Sequence, residues 1–155
     1  MSLAIPSATP GMSGKPMQQA ARSRFEDRGY LEPVAIFTPR ECGVVLGGLQ
    51  QAASRPPMDW QKGRAATSPE YAAIAADDRI LDLVTAVIGE DVILWGVSLV
   101  VRKPNQVHPW HTDIESSSPT GKTVSVWIGL ANTSALSSLI VVPGSHLFGV
   151  TFQQV

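Results

Sequence analysis

The sequence predicts an α+β fold weighted toward β, with helices first and an antiparallel sheet of sandwich or barrel type after them. Two observations carry that expectation. Apolar residues recur at helical spacing as far as Gly89 and at strand spacing beyond it. The strand-like runs then follow one another with no helix between them, which is the order of an α+β chain and not of a βαβ one. Length and composition agree. A chain of 155 residues allows one domain. Its 44% apolar and 16% charged residues are the balance of a folded chain, which excludes global disorder.

Residues 1–24 hold Pro6, Pro10, Gly11, Gly14 and Pro16 with little apolar period, and they read as a flexible tail. Order is expected from Phe25, so the folded domain is drawn as 25–155. Leu31 to Phe37, with Val34 and Ile36, reads as a short strand. Thr38-Pro39-Arg40-Glu41 is a helix start: Thr38 caps, Pro39 takes the first helical position and Glu41 completes a capping box. Val45, Leu46, Leu49, Ala52 and Ala53 follow at helical spacing until Arg55-Pro56-Pro57 stops them. Residues 55–67 read as a loop carrying Trp60. Ser68-Pro69-Glu70 repeats the start signal. Ile80, Leu81, Val84, Val87 and Ile88 then mark one apolar helix face, which Gly89 ends.

Beyond Gly89 the texture changes. Val92 to Val101 is nearly continuous in β-favouring residues. Lys103-Pro104-Asn105 is a turn. Gln106 to Ile114 reads as extended, and Glu115 to Gly121 as a polar loop. Thr123 to Ala131 alternates, with Val124, Val126, Ile128 and Leu130 on one face and Trp127 on the other. Leu139 to Val142 is a further short strand closed by Pro143-Gly144.

Several function classes are excluded. Twelve basic and thirteen acidic residues give a net charge of −1, so no basic excess exists to hold a nucleic-acid backbone. No apolar run is long enough to span a bilayer. The first 24 residues lack the basic start and apolar core of a secretory signal, and the default compartment is the cytoplasm. Cys42 is the single cysteine, so neither an internal disulfide nor a structural zinc cluster can form.

Chemistry concentrates in His108-Pro109-Trp110-His111-Thr112-Asp113. On an extended segment side chains alternate, so His111 and Asp113 point to one face and His108 to the other. One imidazole and one carboxylate projecting together are two thirds of the facial triad that holds Fe(II). The same pattern also suits a surface histidine beside a turn aspartate.

The surroundings of this motif resemble the phytanoyl-CoA dioxygenase family of Fe(II)- and 2-oxoglutarate-dependent oxygenases. Four stretches carry the resemblance. They are Phe25 to Leu49; Ile88-Gly89-Glu90-Asp91; Pro109-Trp110-His111-Thr112-Asp113; and Val126-Trp127-Ile128-Gly129-Leu130 followed by Leu139 to His146. The Pro143-Gly144-Ser145-His146 turn after a buried strand is the most specific of them. The resemblance covers about residues 25–150, in order and at plausible spacing.

It implies N-terminal helices packed on a double-stranded β-helix, the jelly-roll architecture of cupins. It also implies a reaction in which Fe(II), 2-oxoglutarate and O₂ hydroxylate a small organic substrate, with 2-oxoglutarate leaving as succinate and CO₂. His111 and Asp113 match the sequence-adjacent iron ligands and so the catalytic centre. A carboxylate at Asp113 favours hydroxylation over halogenation. Thr112 replaces a glutamine common in the family at a position that can touch the cosubstrate. Trp127 matches a position that lines the 2-oxoglutarate pocket, and equally suits a barrel aromatic. Arg102 and Lys103 read either as pocket residues or as solvated strand ends.

Two parts of the family pattern are missing. A second ligand histidine and a later arginine that grips the far carboxylate of 2-oxoglutarate are expected. After Asp113 only 42 residues remain, and none is Arg. The one later histidine, His146, belongs to the Pro-Gly turn. It reads as a hydrogen-bonded turn histidine, with a third-ligand role as the alternative. Only about half of the eight strands of such a barrel can be counted. The expectation is an incomplete domain, the N-terminal part of a longer enzyme, with open sheet edges that invite self-association. Two other readings stay open: a non-catalytic β-helix binding or assembly module, and a compact cupin-type metal protein using His111, Asp113 and His146.

Overall fold

A computed structural model describes residues 15–53, 62–103, 105–106, 109–113 and 122–149 of the chain. Trp60, His108, most of the expected tail and the expected polar loop at 115–121 lie outside these residues. Among the described residues four helices come first: α1 (Lys15–Arg28), α2 (Pro39–Ala53), α3 (Pro69–Ala75) and α4 (Asp78–Ile88). A 3₁₀ turn at Arg64–Ala66 leads into α3, and another at Ser145–Phe148 follows the last extended stretch.

Helix α1 begins ten residues ahead of Phe25, inside the stretch that the sequence assigns to a tail. It packs along α4. Local signals explain α2. The Thr38 N–H donates to Glu41 Oε2 at 2.7 Å and the Glu41 N–H donates to Thr38 Oγ1 at 3.3 Å, which is the reciprocal capping box. Helix α3 opens on Pro69, but Ser68 Oγ donates to Glu70 Oε2 at 2.6 Å and makes no side-chain bond to a backbone N–H. The apolar face that runs to Gly89 is divided at Ala76-Asp77. Asp77 takes extended backbone angles and accepts from the Arg79 N–H at 3.0 Å, so it caps a new helix.

The core sits among three of these helices. Leu49 and Ala52 of α2, Tyr71 and Ile74 of α3, and Ile80 of α4 form one buried cluster. Tyr71 is fully enclosed, and burial pushes its phenol up from the ordinary value. A polar knot ties the helix starts together. Arg79 donates to Asp77 through Nε and Nη2 at 2.9 and 2.8 Å, and through Nη1 to the Ile36 carbonyl at 2.9 Å and to Glu41 Oε1 at 3.0 Å. Its guanidinium also lies over the Phe37 ring at 4.6 Å. One fork therefore holds the 31–37 segment, the α2 cap and the α4 cap in place.

The sheet expected from the sequence is not found among the described residues. Residues 31–36, 91–101, 122–130 and 139–142 form no strand ladder, and the one bridge is a parallel pairing of Gly63 with Val97. The jelly-roll and double-stranded β-helix expectation is therefore corrected to a helical scaffold carrying extended segments.

The physical reason lies in what β-favouring sequence reports. Val, Ile and aromatic residues suit a pleated, half-buried surface, and they do not by themselves supply a partner strand. Here the period of two survives without a ladder. Val97 and Leu99 of one segment, and Ile128 and Leu130 of another, each pack directly on the helical core. Their neighbours Val100 and Trp127 point outward, about half exposed. Each segment covers the helices separately, and the apolar residues meant for a second face, such as Ile93 at 88% and Ile140 at 77%, stay in solvent.

Candidate metal centre

Pro109 to Asp113 has no regular secondary structure. The spacing of two residues brings the two chemical side chains together, with His111 Nε2 lying 3.1 Å from Asp113 Oδ1. On the far side of the ring, His111 Nδ1 lies 2.9 Å from the Pro109 carbonyl oxygen. The carbonyl and the carboxylate oxygen both only accept, so a proton on Nδ1 serves the first contact and a proton on Nε2 the second. A ligand role for His111 needs Nε2 without its proton.

Two electron-rich atoms held this close repel each other unless a cation lies with them. That cation is either a proton, which makes the pair an ordinary ion pair, or a metal ion. Two donors at right angles on a six-coordinate ion of this size lie roughly 3 Å apart, so the spacing of the pair suits adjacent ligand positions. The donor chemistry, one imidazole and one carboxylate, suits a divalent first-row metal. The residues therefore fit two positions of such an ion. No group of three His, Cys, Asp or Glu side chains that could hold a metal is found among the described residues.

The other residues singled out by sequence fall in different places. Thr112, between the pair, is partly buried. Its Oγ1 is enclosed and has no hydrogen-bond partner among the described residues. Trp127 is 49% exposed on the 122–130 segment. Arg102 and Lys103 are exposed.

His146 is not brought to the pair. Its Nε2 donates to the Glu26 carbonyl at 2.9 Å, and its ring lies against Gly29 just past the end of α1. The Gly144 N–H donates to the Arg28 carbonyl at 2.9 Å, and the Gly29 N–H to the Phe25 carbonyl at 2.8 Å. Three of the four terminal carbonyls of α1 are thus satisfied, two of them by the Pro143–His146 turn. Nothing local in the sequence signalled this contact. A glycine after Arg28 is the one hint, since it suits the left-handed φ of +79° that ends the helix.

A His/Asp pair on an irregular segment, carried by a helical scaffold, defines a candidate divalent-metal protein. A comparison with known families narrows this. The phytanoyl-CoA dioxygenase (PhyH) family model matches residues 25–154, most of the chain. The chain belongs to the phytanoyl-CoA dioxygenase family. No curated protein and no solved structure matches it. Among the described residues no helix is long and apolar enough to cross a membrane.

Proposed function

We propose that the chain serves an Fe(II)- and 2-oxoglutarate-dependent dioxygenase reaction that hydroxylates a small organic substrate, with His111 Nε2 and Asp113 Oδ1 as two iron ligands. The observation that carries this reading is the 3.1 Å approach of those two atoms in a chain of this family. When bound, Fe(II) with 2-oxoglutarate supplies the activation of O₂ that an unactivated C–H bond requires.

The chain's own residues have distinct parts. Asp113 contributes a negative charge that offsets part of a divalent cation's charge. His111 offers a neutral nitrogen whose orientation is set from behind by the Pro109 carbonyl. The enclosed Thr112 hydroxyl is available to donate one hydrogen bond to a bound carboxylate or water. His146 is spent on the end of α1, which disfavours the compact cupin-type arrangement.

The test is an anaerobic titration of the full chain with Fe(II) and 2-oxoglutarate, followed by visible absorption. A weak charge-transfer band that needs both additions, and that disappears in His111→Ala and in Asp113→Ala, supports the proposal. Absence of the band in the parent chain, with no metal held more tightly than surface histidines hold it, would overturn it in favour of a non-catalytic binding module.

A further inference from the structure

We propose that the outward face of the 91–101 and 122–130 segments is the contact between two copies of this chain, related by a twofold axis. Both segments seat inward on the same buried cluster, one through Val97 and Leu99, the other through Ile128 and Leu130. Their remaining large side chains therefore share the side away from the helices. Ile93, Leu94, Val100, Val101, Val126 and Trp127 are all exposed, and their exposed surface amounts to roughly 700 Å², above the roughly 300–600 Å² of the largest apolar patch on a typical monomer. The exposed Leu139 to Val142 raise the total to on the order of 1,000 Å², and a stable interface takes roughly 800 Å² from each partner.

Charge says which partner fits. Residues 92–101 and 123–142 hold no Asp, Glu, Lys or Arg. A surface meant for water carries such charges, and they also keep copies apart. A charge-free face meets its own copy with no like-charge repulsion, and it strands no charge of its own out of water. The charges stand at the ends of the first segment instead. Asp91 is exposed at one end, and Arg102 and Lys103 are exposed at the other. When two copies lie antiparallel across a twofold axis, the acidic end of each meets the basic end of the other. The same segments laid parallel would put like charges together. An apolar centre with a polar rim is the usual anatomy of such a contact.

The experiment is sedimentation equilibrium of the full chain over a range of concentrations, with circular dichroism as the check of folding. The expected result for the parent chain is a mass of two chains that falls toward one on dilution. Ile93→Lys and Val126→Lys each place a charge at an exposed position, so helix content should hold while dimer affinity falls at least about tenfold. Two such variants are used so that misfolding of one leaves the other as the test. Asp91→Lys should weaken the pair, and adding Arg102→Asp and Lys103→Asp should restore it, which indiscriminate sticking would not do. A parent chain that stays monomeric at about 100 μM would overturn the proposal and leave the face to a different partner. So would open-ended aggregates, or a dimer that both lysine variants leave intact. Failure of the charge exchange to restore the pair would overturn the antiparallel arrangement.

Discussion

His146 Nε2 donates to the carbonyl of Glu26 across 120 residues of sequence, at 2.9 Å. With the Gly144 N–H on the Arg28 carbonyl, it makes the Pro143–His146 turn the cap of the first helix. The turn thus joins the two ends of the described chain.

Two substitutions check this clasp. Gly29 has φ of +79°, and a Cβ there would meet the imidazole, with His146 Cγ only 2.9 Å away. Gly29→Ala is therefore expected to cost about 2 kcal/mol or more in chemical denaturation. His146→Ala should cost about 1 kcal/mol, one net hydrogen bond. Co(II) affinity at the His111/Asp113 pair should be the same in His146→Ala as in the parent chain. A loss of metal binding in that variant would return His146 to the ligand set.

The Arg79 fork gives a second prediction. Arg79→Ala should lower the thermal midpoint by about 5–10 °C, because it leaves Asp77 and Glu41 without their shared cation. Arg79→Lys should recover less than half of that, since an ammonium cannot reach three separated acceptors at once.

The same fork sets an acid limit. Arg79 lowers the Asp77 carboxyl below its ordinary 3.8, chiefly through their side-chain hydrogen bond. The Thr38 backbone N–H, then the Thr38 hydroxyl and Arg79, lower Glu41 below 4.5. Both groups bind protons more readily in the unfolded chain. Their contribution is therefore complete above these ordinary values and is lost as pH falls through the lower folded ones. Melting midpoints should be steady from pH 7 down to about 5 and fall below about 4, with a shallower acid slope in Arg79→Ala.

Thr112 and Tyr71 separate packing from hydrogen bonding. Thr112→Val removes an enclosed hydroxyl that lacks a partner among the described residues, so the unliganded chain should gain up to about 1 kcal/mol. The same variant should weaken 2-oxoglutarate if that hydroxyl meets the cosubstrate. Tyr71→Phe should be nearly neutral, because its bond to the Leu49 carbonyl is long at 3.5 Å. Tyr71→Ala should cost about 3–5 kcal/mol by emptying the centre of the core. Urea denaturation of the three variants checks the stabilities, and 2-oxoglutarate titration of Thr112→Val checks the binding.

How much of this was legible in sequence depends on the range of the interaction. The α2 capping box needs only Thr38 and Glu41, three residues apart, and it forms as the spacing predicts. The meeting of His111 and Asp113 needs only their spacing of two residues. Asp77 was missed as a cap because the apolar face continues past it, and only its bond to the Arg79 N–H marks the break. Helix α1 was missed because Pro6, Pro10, Gly11, Gly14 and Pro16 crowd the stretch up to and into its first turn, while its support comes from α4 and the distant His146 turn. The sheet was over-read for the opposite reason. Val92 to Val101 and Thr123 to Ala131 have strand composition, but the inward side chains of both segments settle on helices and not on a common ladder.

The most direct test of the account is Co(II) or Fe(II) titration of the full chain beside His111→Ala, Asp113→Ala and His146→Ala, under anaerobic conditions. The account predicts one divalent ion per chain, at least tenfold weaker in each of the first two variants and unchanged in the third. Equal binding by the parent chain, His111→Ala and Asp113→Ala would contradict it.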